Sequence, residues 1–115
     1  MEKERVKILL DTDAGDDIDD ALAIALGLSS PEAEFIGITT VYKNTHDRAR
    51  LVKKLVRESG YDIPVYAGHC GGFKTPTDAY GGFPNEIAGK DGKKHMCQFT
   101  EELLSPQYAP INDAE

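Results

Sequence analysis

Ile8-Leu9-Leu10-Asp11-Thr12-Asp13-Ala14-Gly15-Asp16-Asp17-Ile18-Asp19-Asp20-Ala21-Leu22 joins a short apolar run to a cluster of aspartates and then to the start of a second apolar run. Six carboxylates lie within ten residues, and no Lys or Arg occurs between Lys7 and Lys43. Two like charges about 4 Å apart repel by about 4 kcal/mol at an effective dielectric of about 20. A folded chain relieves this by protonating carboxyls, by exposing them to water, or by binding a hard divalent cation that prefers oxygen ligands. One or two aspartates here would read as helix caps, since Asp satisfies free N–H groups and suits the positive end of the helix dipole. Six exceed what capping uses and point to a cation. An EF-hand loop does not fit: it needs Asp or Asn at Gly15, Gly at Asp16, Glu at Leu22, and a helix rather than a strand in front.

Working outward, residues 6–10 predict a buried parallel strand, which puts the aspartates at its carboxyl end, where open α/β sheets bind ligands. Asp19 or Asp17 then caps a helix from Ala21 to about Leu28, stopped near Ser29-Ser30-Pro31. Residues 34–42, rich in β-branched and aromatic side chains, predict a second strand. Asn44 or Thr45 opens a second helix with Ala49, Val52, Leu55 and Val56 on one face. Its basic residues Arg48, Arg50, Lys53, Lys54 and Arg57 read as a solvated face, and Gly60 ends it. Residues 63–67 make a third, short strand with Pro64 near its start. The βαβαβ order predicts an α/β fold with a mostly parallel, Rossmann-like sheet and right-handed crossovers. Residues 69–97, with Gly71-Gly72-Phe73 and Gly81-Gly82-Phe83, show no sustained period and read as a long Gly-rich loop. Residues 98–104 predict a helical turn or two.

At 115 residues the chain reads as a single domain, 1–115, with an ordinary 40% of hydrophobic residues. A net charge of −7 argues against non-specific nucleic-acid binding, which rests on phosphate neutralisation by Lys and Arg. No apolar run is long enough to span a bilayer and the start shows no signal-peptide pattern, so no membrane association and a cytoplasmic location are expected. Cys70 and Cys97 lie in no metal-ligand spacing and read as free thiols, with a disulfide as the minor alternative. His46, His69 and His95 read as exposed loop or helix residues rather than catalytic acids. Tyr66, Tyr80, Phe73 and Phe83 read as local packing, with stacking on a base the sharper alternative.

Three blocks in order, Asp11-Thr12-Asp13-x-Gly15 with its Asp-Asp-Ala helix start, Gly37-Ile38-Thr39-Thr40-Val41-Tyr42-x-Asn44, and Ile63-Pro64-Val65-Tyr66-Ala67-Gly68, resemble the N-terminal part of nucleoside hydrolases of the inosine/uridine-preferring type. The resemblance implies calcium-dependent hydrolysis of the N-glycosidic bond of ribonucleosides, purine and pyrimidine salvage, and a homo-oligomer. It makes Asp13 a metal ligand, Asp11 the structural or metal aspartate before it, and Asn44 a sugar contact, with Lys43 where a glycine often stands. Aligned backwards from Ala21, it makes Asp19 the general base and Asp20 a calcium ligand. Aligned forwards from Gly15 it puts Asp17 first in the pair, with Ile18 where a ligand belongs, so Asp17 is the reserve base. Family members are longer, and their remaining metal ligands and late His-Asp pair lie in a C-terminal part this chain lacks. A truncated, inactive chain is the corresponding expectation. Two other readings accompany it. Asp-x-Asp after a strand also resembles the loop of haloacid-dehalogenase-type phosphatases, with Asp11 as nucleophile, Asp13 as acid/base and Mg²⁺ as cofactor. A non-catalytic fragment acting only by association is the third reading.

Overall fold

The computed structural model describes residues 4–69 and 87–111. Three strands, β1 (Val6–Thr12), β2 (Ala33–Thr40) and β3 (Val65–Ala67), form a parallel sheet in the order β1-β2-β3. Helices α1 (Ile18–Ser29) and α2 (Thr45–Glu58) make the connections, so the βαβαβ expectation holds. The register slips once, between Ile8 and Leu9 against β2. The Gly-rich stretch falls mostly outside the described residues. Its described part is a short antiparallel hairpin, β4 (Ile87–Ala88) with β5 (Lys94–His95), rather than open loop. Two 3₁₀ helices follow, Glu101–Leu104 and Pro106–Tyr108, where a helical turn had been expected from residue 98.

Ile24 and Leu28 of α1, Ala49, Val52 and Val56 of α2, Ile38 of β2, and Val65 and Ala67 of β3 share one buried core. Both helices therefore cover the same sheet face, as two crossovers of one hand require when strands are laid down in sequence. The opposite face has no cover among the described residues. Leu9 is 65% exposed on β1, and Leu26 is 70% exposed on an apolar stripe of α1 with Ile18 and Leu22. Thus β1 is an edge strand with one open face, not the strand buried on both faces that its run of apolar residues predicts. A continuous apolar run carries no information about which of its two faces finds a neighbour.

The solvated basic face of α2 is also corrected. Arg50 Nη1 donates to Leu103 O at 3.2 Å, Lys53 Nζ to Ala109 O at 2.9 Å and Arg57 Nη1 to Gln107 O at 3.2 Å, while Lys54 Nζ meets Glu102 Oε2 at 2.7 Å. Short 3₁₀ segments leave carbonyls unpaired, and the long cationic side chains of α2 supply the donors. Below them Met96, Phe99 and Leu103 form a second small core with Leu51.

Several hydroxyls and amides fix the carboxyl ends of the strands. Thr40 Oγ1 donates to Thr45 O and Thr45 Oγ1 to Gly68 O, each at 2.8 Å, tying β2, the start of α2 and the end of β3 together. Asn44 caps α2: its Oδ1 accepts from Asp47 N at 3.1 Å and its Nδ2 donates to Asp47 Oδ2 at 2.8 Å. Asn44→Ala should cost about 1 kcal/mol of stability, the usual worth of such a cap, measured as a shift in the urea midpoint without ligand.

Candidate metal and active site

Beyond the end of β1 the chain turns through Asp13 to Asp17 before α1 begins. Asp17 occupies the cap position with extended backbone, yet its side chain makes no capping bond, which leaves its carboxylate to the cleft. The cleft, about 210 Å³, is lined by Asp13, Asp16, Asp17, Asp19, Asp20 and Tyr42. This is below the roughly 300–1,000 Å³ of pockets that enclose whole ligands. It suits a hydrated ion and part of a substrate.

Asp13 and Asp20, from the loop and the first turn of α1, line the same cleft and perturb each other electrostatically. Partial desolvation, and then the neighbouring Asp20, push the Asp13 carboxyl up from its ordinary value. The Thr12 hydroxyl, donating to Asp20 Oδ2 at 2.6 Å, is the main cause holding the Asp20 carboxyl below its own. One proton between two carboxyls is the least costly arrangement of a close acidic pair without a cation. A hard cation would replace that proton, and the donors are all oxygen, as Ca²⁺ or Mg²⁺ prefers. Among the described residues no group of three His, Cys, Asp or Glu side chains is close enough to cage an ion. The pair thus fits such a cation as part of a coordination sphere that, for calcium, takes 6–8 oxygens.

The remaining expected residues are placed differently. Asp19 is exposed on the cleft wall, one residue before Asp20, with Asp17 beside it. Asp11 is absent from the lining, and its Oδ1 accepts from Thr39 Oγ1 of β2 at 2.7 Å. Asn44 is exposed at the start of α2.

Two side chains escaped the sequence reading. Arg48, read as solvated, is 2% exposed and lies against the aspartate loop, with Nη2 2.8 Å from Asp16 Oδ2. The other oxygen of Asp16 is buried without a hydrogen-bond partner among the described residues. His95, read as an exposed loop residue, is 3% exposed. Its Nδ1 meets Asp47 Oδ2, its Nε2 lies 3.0 Å from both oxygens of Asp91, and its ring stacks on Phe99 at 3.7 Å. The residues after it brace the loop: Gln98 N donates to Gly15 O at 3.0 Å and Cys97 Sγ to Asp16 O at 2.9 Å. Cys97 is a free thiol, as expected, while Cys70 lies outside the described residues. Gly15 sits at φ +140°, and a Cβ there would fall 2.5 Å from Met96 Sδ and 2.9 Å from Arg48 Nη1. Only glycine fits between the two braces.

Fold and site together define a parallel α/β protein whose cleft, at the carboxyl ends of its strands, is walled by aspartates. Over residues 8–113 the sequence matches the inosine-uridine preferring nucleoside hydrolase family, and the chain belongs to that family. It is 39% identical over 92 residues to a protein of Arabidopsis thaliana named probable uridine nucleosidase 2, covering 77% of this chain and 27% of that protein. It is 32% identical over 112 residues to the non-specific ribonucleoside hydrolase RihC of Klebsiella pneumoniae (strain 342), covering 96% of this chain and 36% of that one. The chain therefore spans roughly a quarter to a third of the length of these curated relatives. Nothing in these matches supports the phosphatase reading or the purely associative one. Among the described residues no helix is long and apolar enough to cross a membrane.

Proposed function

We propose that this chain carries the metal- and ribose-binding part of a calcium-dependent nucleoside hydrolase, acting on the N-glycosidic bond of ribonucleosides. The observation that carries this reading is the gathering of Asp13, Asp16, Asp17, Asp19 and Asp20 around one cleft beyond the carboxyl end of β1, with Asp20 held by the Thr12 hydroxyl. In this reading Asp13 and Asp20 would hold the ion, and Asp11 supports the loop from the strand through Thr39. Calcium bound there would supply Lewis acidity toward ribose hydroxyls and water. Asp19 would accept the proton of the attacking water, with Asp17 as the alternative base on the same wall. The family resemblance assigns the sugar contact to Asn44, which is exposed at the start of α2 with its side chain engaged in the helix cap. Glycosidic cleavage passes through an oxocarbenium-like state, and the exposed carboxylates of Asp17 and Asp19 on the cleft wall would stabilise the positive charge that develops on the ribose. A reducing, cytoplasmic setting suits the free Cys97 thiol beside the loop.

Calorimetric titration of the purified chain with calcium chloride, repeated with ribose or inosine present, tests this. Binding that strengthens at least severalfold with the sugar is the expected result. A chain that binds no calcium under either condition refutes the reading.

A further inference from the structure

Arg48 stands in the first turn of α2, and its one guanidinium reaches both lips of the cleft. Its Nη1 donates to Asp13 O at 2.8 Å and to Ala14 O at 3.2 Å, its Nη2 to the Asp16 carboxylate at 2.8 Å, and its Nε to Tyr42 O at 2.7 Å. The first three partners belong to the aspartate loop and the last to the turn between β2 and α2. That turn is strained, with Tyr42 at φ +80° and Lys43 at φ +55°. Non-glycine residues persist in this region only where their surroundings over-determine them. The Arg48 Nε bond to the Tyr42 carbonyl and the guanidinium lying 5.7 Å from the Tyr42 ring supply that constraint. Burial of the side chain among these acceptors leaves it no freedom to follow a moving loop.

We propose that Arg48 is the positioning residue of the metal site: it ties the Asp13 backbone and the Tyr42 lip into one rigid frame and so keeps the Asp13 carboxyl facing Asp20. The inference rests on the reading of that pair as cation ligands. It makes a counter-intuitive demand on the sign of an experiment. A cation near a calcium site repels the ion, so if the charge of Arg48 were what mattered, removing it would tighten calcium binding. If the planar fork matters, removing it loosens binding, and lysine does not substitute, because an ammonium cannot reach a carboxylate and several carbonyls at fixed angles together.

The test is calcium chloride alone, titrated calorimetrically into wild type, Arg48→Lys and Arg48→Met, with thermal unfolding of each measured in parallel. The expected result is at least a tenfold loss of calcium affinity in both variants at temperatures where each is folded. Affinity that rises in Arg48→Met and is unchanged in Arg48→Lys overturns the inference in favour of plain charge. Lower melting temperatures with unchanged affinity overturn it in favour of a purely structural role. Arg48→Lys, which keeps the charge and most of the volume, decides the matter where the methionine variant does not fold. Failure of the two readings is distinguishable. A wild type that binds no calcium overturns both, whereas a wild type that binds no more tightly than Arg48→Lys overturns this one alone.

Discussion

Asp20→Ala is expected to weaken calcium binding by at least about 100-fold, since residues that merely orient metal ligands are worth about 10–100-fold when removed and a charged ligand sits at or above that range. At about 1.4 kcal/mol per tenfold, this corresponds to about 3 kcal/mol. The same variant should change the stability of the calcium-free protein little, because relief of the repulsion on Asp13 is offset by loss of the Thr12 bond to Asp20. Thr12→Val serves as the graded control. It deletes the hydroxyl that donates to Asp20 Oδ2 and should cost about tenfold in affinity, the effect of a lost orienting bond. Calorimetry on the three proteins separates these effects, and an Asp20→Ala chain that binds calcium like wild type removes Asp20 from the site.

His95→Ala should destabilise the fold by about 3 kcal/mol, because it leaves the buried Asp47 carboxylate without its cationic partner. The low end of the usual range applies, since Asn44 Nδ2 still donates to Asp47 Oδ2. The effect depends on pH in a definite sense. Burial opposes a charge on His95, but the carboxylates of Asp47 and Asp91 outweigh it and raise the imidazole above its ordinary 6.5. A group whose folded pKa is raised contributes stability that is fully present below its unfolded value and lost as pH rises through the folded one. The hydrogen bond from His95, the largest cause, holds the Asp91 carboxyl below its ordinary 3.8, so its contribution is present above that value and lost in acid. Wild type should therefore exceed His95→Ala most between roughly pH 3.8 and 6.5, with the gap narrowing as pH rises further. Urea midpoints of both proteins across that range measure it. A gap that widens above pH 6.5 would falsify the assignment of a charged imidazole. Faster hydrogen exchange at the Gln98 amide, which bonds Gly15 O, should accompany the loss, because the brace on the aspartate loop hangs from His95.

How much of this could be read from the residues varies with the kind of signal. The helix boundaries were legible to within a few residues: Pro31 bars continuation of α1, Asn44 caps α2, and Gly60, at φ +87°, follows its end. Arg48 was legible too, in retrospect. It stands four residues before Val52 and eight before Val56, on the buried stripe of α2 rather than on the outer face. Its charge argued for solvent and its position for the core. Position won, because the aspartate loop brought acceptors enough to satisfy a buried guanidinium.

His95 had no comparable signal. Its partners Asp47 and Asp91 come from a helix far along the chain and from a hairpin turn, and no local period links them.

The sequence by itself determined the order of the first three strands and the two helices between them, the placing of an acidic loop at a strand's carboxyl end, and the family. The first two follow from short-range patterns of apolar periodicity, caps and turn residues, which act within a few residues of themselves, and the family from the resemblance of three motif blocks. Only the tertiary structure decided which carboxyls pair, which cation is buried among them, and which sheet face stays open. Those depend on groups up to 35 residues apart, as Arg48 Nη1 and Asp13 O are, meeting at distances of about 3 Å. Hydrogen bonds and ion pairs of that kind are selected by geometry in space, where spacing along the chain has no say.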